Sequence, residues 1–126
     1  MQRENIAPAG TPAVAPYTPA IAVEGLVFVA GQISVDETGA MVADDFTSQA
    51  RRTFSNMRAV LHAAGCAMDD VVSCTIYLTD GANFEAFNEV YQEFFSAPFP
   101  TRATVLAGLL GEGLLIESTC IAARRG

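Results

Sequence analysis

Lysine is absent from this chain, and charge of either sign is scarce. Its 126 residues carry seven basic side chains, all arginine, against fourteen carboxylates, for a formal net charge of −7. A surface of that sign repels phosphate backbones, which argues against general nucleic-acid binding. Any arginine directed at an anion must then act locally. Charged residues make up 17% of the chain and hydrophobic residues 51%, whereas an ordinary soluble domain has about 25% charged. So few charges cover a chain of this size poorly, and part of its apolar surface is expected to be buried against further copies of itself. Histidine occurs once, at His62, and the cysteines Cys66, Cys74 and Cys120 lack metal-ligand spacing. No metal centre is expected from such a set. An odd number of thiols reads as free and buried, in a reducing compartment. No run approaches the roughly 20 apolar residues of a membrane span. Pro8, Pro12, Pro16 and Pro19 interrupt the N-terminus before the apolar core of a signal peptide forms. The chain reads as soluble and cytoplasmic, with no membrane partner. It has no glycine-rich phosphate loop, and no Ser, Cys or Thr with a credible triad partner.

What is present fits one domain over residues 1–126, opened by an extended leader over 1–19. The run from Ala20 to Gln32 predicts two short strands joined at Glu24-Gly25. A helix follows, capped by Asp44 or Asp45 and ended by Gly65, with Phe46, Ala50, Phe54, Met57, Leu61 and Ala64 on one stripe. Val71 to Thr79 alternates and is β-branched, as a strand would be. Asn83 is placed to cap a second helix bearing Phe84, Phe87, Val90, Tyr91, Phe94 and Phe95. Strands over about 101–110 and 114–124 complete a β-β-α-β-α-β-β order, an α+β sheet with both helices on one face. The last two strands are apolar on both parities, as in Val105, Leu106 and Ala107, which calls for a cover on both sides. No chain is left over to supply the second cover, so a neighbouring subunit is expected to supply it.

Chemistry is sought among the exceptions to the apolar rule. Arg102 opens a strand after Phe99-Pro100-Thr101, and Glu117 interrupts an apolar one. A carboxylate there is costly unless it is paired, hydrogen-bonded or at a wet cleft. Arg102 shares a parity with Thr104 and Leu106, and Glu117 with Thr119 and Ile121. Two readings stand side by side: a pocket for a small carboxylate and a water, or an ion pair between Arg102 and Glu117 within or between subunits. Gly31 marks either a close backbone approach to a ligand or a β-bulge. Tyr17 is an aromatic hydroxyl in the leader. His62 lies near a helix end, off the apolar stripe, and Glu85, Glu89 and Glu93 form a solvated row.

Several of these residues sit in a recurrent pattern: Pro16-Tyr17, Ala30-Gly31-Gln32-Ile33, Ala64-Gly65, Asn88-Glu89-Val90-Tyr91, Phe99-Pro100-Thr101-Arg102-Ala103, Ile116-Glu117 and Ile121-Ala122. In order and spacing the chain resembles the reactive-intermediate deaminase (Rid, YjgF-like) family along nearly its whole length. The resemblance implies a chorismate-mutase-like fold assembled as a homotrimer, with a site in each cleft between subunits. It implies a cofactor-free 2-iminobutanoate/2-iminopropanoate deaminase, hydrolysing 2-aminoacrylate-type enamines and imines to 2-oxo acids and ammonia. By the same resemblance Arg102 clamps the substrate carboxylate and Glu117 holds the attacking water. Tyr17, Gly31 and Asn88 line the cleft, and Thr104 joins the substrate-binding set. The chain departs from the family at Ala30, where many members have serine, and at Thr104, where many have cysteine. Thr119 replaces a second acidic residue, and the Leu110-Gly111-Glu112-Gly113 turn lacks the usual proline. Residues 42–45 and 119–122 also resemble the aminoacrylate deaminase of pyrimidine breakdown. An alternative on the same fold is a non-catalytic regulatory protein that binds a small carboxylate. RNA cleavage, attached to some relatives, fits poorly with an acidic chain holding one histidine.

Overall fold

A computed structural model describes residues 2–11 and 15–125, so Pro12 lies outside the described residues. The strands are β1 (Glu4–Ile6), β2 (Ala20–Val23), β3 (Leu26–Gln32), β4 (Val71–Leu78), β5 (Thr101–Leu106) and β6 (Ile116–Ala123), with helices α1 (Phe46–Ala63) and α2 (Phe84–Phe94). They form one mixed sheet in the order β1-β2-β3-β6-β4-β5. The α+β order expected from the sequence is present, with one strand more. Part of the leader is itself a strand, β1, which pairs antiparallel with β2. Its Ile6 is buried while Glu4 and Asn5 are exposed, so three residues supplied too little alternation to mark it.

Local chemistry sets the elements. Glu24 and Gly25 both have positive φ, 53° and 81°, as a two-residue turn matching the twist of β2 and β3 requires. Asp45 caps α1 by accepting a hydrogen bond from the Ser48 N–H at 2.9 Å, which also holds its carboxyl below the ordinary value. At the far end Gly65 takes φ 78° and the Cys66 N–H returns to the Leu61 carbonyl at 2.9 Å, a glycine-dependent stop. Asn83 stands at the start of α2, but its side chain makes no capping bond. Asp80 caps instead: it accepts from the Ala82 N–H at 2.9 Å and starts a short 3-10 turn that runs into the helix.

Both helices pack on one sheet face. Phe54, Met57 and Leu61 of α1 and Phe87 and Val90 of α2 are buried against Val27, Ile76, Leu78 and Ile116 of the strands. β4 and β5 run parallel through the α2 crossover, and β6 inserts antiparallel between β3 and β4. The strand expected over 101–110 stops at Leu106. That residue faces Leu78, the last of β4, and one further bond, from the Ala107 N–H to the Leu78 carbonyl at 3.0 Å, ends the pairing.

The opposite face is open. Phe28, Val72 and Val105 are 42%, 45% and 41% exposed. Along β6 fully buried residues alternate with half-buried Glu117, Thr119, Ile121 and Ala123. Among the described residues no helix is long and apolar enough to cross a membrane.

Candidate functional site

Two half-sites lie on opposite faces of the sheet. On the helix-bearing face, Arg102 projects from edge strand β5 opposite buried Cys74 of β4. Its Nη1 donates to Asn88 Oδ1 at 2.9 Å. Its Cζ lies 4.9 Å from the ring centroids of Phe87 and Tyr91 and 5.8 Å from that of Phe84. With Asn88, Tyr91, Gln92, Phe99 and Pro100 it lines a cleft of about 330 Å³. Arg51, Arg52, Arg124 and Arg125 each meet a carboxylate. Arg102 meets none among the described residues and keeps N–H donors free at the cleft.

Burial below this cleft raises proton affinities. The Cys74 thiol is pushed up to about 11 by its burial. The Tyr91 hydroxyl is pushed up for the same reason, with a further contribution from Cys74, while the Arg102 charge pulls it back in part. The Tyr91 hydroxyl and the Thr104 hydroxyl are both buried without a hydrogen-bond partner among the described residues. The Tyr91 hydroxyl and Cys74 thiol interact without meeting hydrogen-bond geometry.

On the open face, Glu117 of β6 sits opposite Tyr77 of β4, with Thr75 opposite Thr119 one step along. With Ser73 and Thr101 further along the same face, they interrupt an otherwise apolar surface. β3 is irregular where it passes them. Val29 pairs with Cys120 but Gln32 with Ser118, so three residues on β3 span two on β6. The bulge at Ala30-Gly31 foreseen as one reading of the glycine is therefore present. It does more than bend the strand: a Cβ built on Gly31 would run into Oε2 of Glu117 and come within 3.0 Å of its Cδ. Glycine leaves the space in which the carboxylate rests. The bulge is pinned from both sides. The Ala30 N–H donates to the Pro19 carbonyl at 2.8 Å. Asn56 of α1 donates to the Ile33 and Val35 carbonyls at 2.9 Å, and Arg52 to the Val35 carbonyl at 3.1 Å.

Arg102 and Glu117 do not meet within a protomer. Their partners on β4, Cys74 and Tyr77, are three residues apart, and β5 and β6 lie on either side of β4. That separates their Cα atoms by about 14 Å at ordinary strand spacings, with side chains on opposite faces. An ion pair between them inside one protomer is ruled out by this geometry. Asn88 joins the Arg102 half and Gly31 the Glu117 half. Tyr17 is 60% exposed, two residues before the proline that holds Ala30, and Thr104 lies two residues beyond Arg102 on the same face. The sequence places all three rings around Arg102 on the second helix without linking them to that residue. Their spacing with Asn88 (84, 87, 88, 91) is one face of a helix, the signal that could have joined them to a cation.

The class so defined is an α+β protein whose single sheet carries a cationic cleft on one face and a lone carboxylate on the other. Comparison with known proteins makes it specific. The family model described as Endoribonuclease L-PSP matches residues 8–124. A RutC family protein of Pyrococcus abyssi is 43% identical over 110 residues, 86% of this chain and 87% of its own length. Among solved structures, Escherichia coli TdcF with bound serine is 35% identical, with 97% of this chain and 99% of that one covered at a TM-score of 0.87. RidA from the Antarctic bacterium Psychrobacter sp. PAMC 21119 is 32% identical, with 95% and 98% covered at 0.87. The chain belongs to the YjgF/Rid family.

Proposed function

We propose that this protein is a hydrolytic deaminase of 2-imino acids and their enamine tautomers. It acts in clefts between the subunits of a homotrimer and releases 2-oxo acid and ammonia. The observation that carries the reading is Arg102, a guanidinium fixed by an amide and aromatic faces and left without a carboxylate. A planar fork of this kind matches a carboxylate through two parallel N–H···O bonds, which a point charge does not imitate. The apolar open face supports assembly, because it exposes large side chains that a second copy would cover. Assembly would also give the Arg102 half of one protomer a route to the Glu117 half of the next. The bound serine of the TdcF relative is a small amino acid carboxylate, in keeping with such a ligand.

The reaction asks little of the protein beyond orientation. The imine carbon is already electrophilic, most of all when its nitrogen is protonated. Arg102 and Asn88 hold the carboxylate end. Glu117, settled in the space over Gly31, takes a proton from water as the oxygen attacks carbon, and returns one to nitrogen as the C–N bond breaks. Water adds, ammonia leaves, and no electrons are exchanged. Tyr17 and Thr104 complete the proposed lining.

A serine or threonine dehydratase that generates the imine in situ supplies the test. Added protein should speed release of 2-oxo acid. Arg102→Ala should lower catalytic efficiency roughly a hundredfold, the scale of losing a principal electrostatic donor. Glu117→Gln should lose turnover with the assembly unchanged in sedimentation. If 2-oxo acid forms no faster than without the protein, the cleft binds but does not hydrolyse.

A further inference from the structure

The helix-bearing half-site holds more than an arginine and an asparagine. Phe84, Phe87 and Tyr91 present their ring faces to one guanidinium at 5.8, 4.9 and 4.9 Å, within the distance at which a ring quadrupole attracts a cation. The rings brace one another. Phe84 stacks on Phe87 at 6.4 Å, Phe87 meets Tyr91 at 5.5 Å, and Tyr91 meets Phe95 at 4.5 Å. Tyr91 is 4% exposed, yet its hydroxyl has no hydrogen-bond partner among the described residues. It is the ring of Tyr91 that meets Arg102 at this spot. An arginine on an exposed edge strand would otherwise sample many rotamers, and each would aim the fork elsewhere. Asn88 ties down one N–H, at Nη1, which fixes a point but not a plane.

We propose that Phe84, Phe87 and Tyr91 are positioning residues for Arg102. Their faces set the plane of the guanidinium so that its free edge engages a carboxylate with both N–H bonds. The aromatic cradle thereby sets how strongly the site prefers a carboxylate to a neutral group of the same shape. This rests on the carboxylate-clamp reading of Arg102.

The test measures calorimetric affinity for 2-oxobutanoate and for its methyl ester, which keeps the acyl chain, gains one O-methyl group and lacks the charge. Wild type should prefer the acid. Tyr91→Leu should lose about tenfold in affinity for the acid and Phe84→Leu about threefold, the range of one desolvated and one exposed cation–π contact, with the ester unaffected. Tyr91→Phe keeps the face and should retain the wild-type preference. Phe84 is 43% exposed, so Phe84→Leu folds even if Tyr91→Leu does not. Arg102→Ala, run alongside, separates the two ideas. If it leaves acid binding unchanged, or if wild type shows no preference for the acid, both the clamp and the cradle fall. If Arg102→Ala abolishes the preference while Phe84→Leu and Tyr91→Leu keep it, or weaken acid and ester equally, the cradle alone is overturned.

Discussion

At position 31, the lack of a methyl group decides where a carboxylate rests. The Glu117 side chain occupies the space that any Cβ there would need, and no positive φ compels the glycine. Gly31→Ala is therefore expected to leave the fold intact and push the carboxylate aside. A misplacement near 1 Å costs roughly a hundredfold in rate when geometry carries the chemistry. Turnover of 2-iminopropanoate should fall by that order while the melting temperature barely moves, and equal turnover would detach Glu117 from the reaction. The thiols behave oppositely, as residues kept silent. Cys66, Cys74 and Cys120 are all buried, and burial raises each, Cys74 to about 11. Thiolate is the reactive form, so alkylation by iodoacetamide near pH 8 should wait for unfolding and then proceed at all three. Rapid labelling of the native protein at Cys74 would contradict this. The sequence made Arg102, Glu117, Gly31 and Asn88 legible as exceptions or as parts of a pattern. It could not reveal that Tyr77 adjoins Glu117 or that three rings face Arg102, because both facts depend on pairing between distant segments.

Elements are held together here by a few polar side chains that apolar periodicity hides. Gln49 lies on the buried face of α1, where the stripe of phenylalanines and alanines leads one to expect carbon. Its amide donates to the Gly113 carbonyl at 2.8 Å and the Ala43 carbonyl at 3.2 Å, and accepts from the Leu115 N–H at 2.9 Å. It thus ties the start of α1 to the loop between β5 and β6. Gln49→Leu conserves volume but strips partners from three backbone groups. Ala43 and Leu115 are half-buried and Gly113 is exposed; at about 1–3 kcal/mol for each group left unpaired away from water, a loss of ~2 kcal/mol in urea unfolding is expected. A loss under ~1 kcal/mol would mean that water replaces the amide. Gln49 marks the limit of the sequence reading at this scale. The periods of 3.6 and 2 located both helices and most strands, because burial acts on every residue of a long stripe. They missed β1, which is only three residues long, and overran β5, whose end is set by its partner β4. Asn83 does hold the N-cap position of α2, but it makes no side-chain bond there, because a short 3-10 turn capped by Asp80 leads into the helix.

For the whole molecule, the sheet is a partition. A protomer keeps its cation on one face and its lone carboxylate on the other, about 14 Å apart diagonally across β4 by ordinary strand spacing. A site that uses both would therefore need two chains, and in the proposed trimer each would lend Arg102 to one neighbour and Glu117 to the other. The open face, on which Phe28, Val72 and Val105 stand exposed, is the surface such contacts would cover. This arrangement makes a prediction that a site within one protomer does not. Arg102→Ala and Glu117→Gln oligomers, each inactive alone, should regain activity when their subunits are mixed. In a trimer assembled at random from equal amounts, each mixed ring has one interface at which an intact Arg102 meets an intact Glu117. Purification through both tags removes the unmixed rings, so about one site in three is restored in the rings that remain. Co-expression of the two variants with separate affinity tags, purification through both tags and assay of imine hydrolysis measure this directly. Recovery near that fraction requires the two residues to come from different chains, whereas mixed trimers as inactive as their parents would place both groups of every working site in a single protomer.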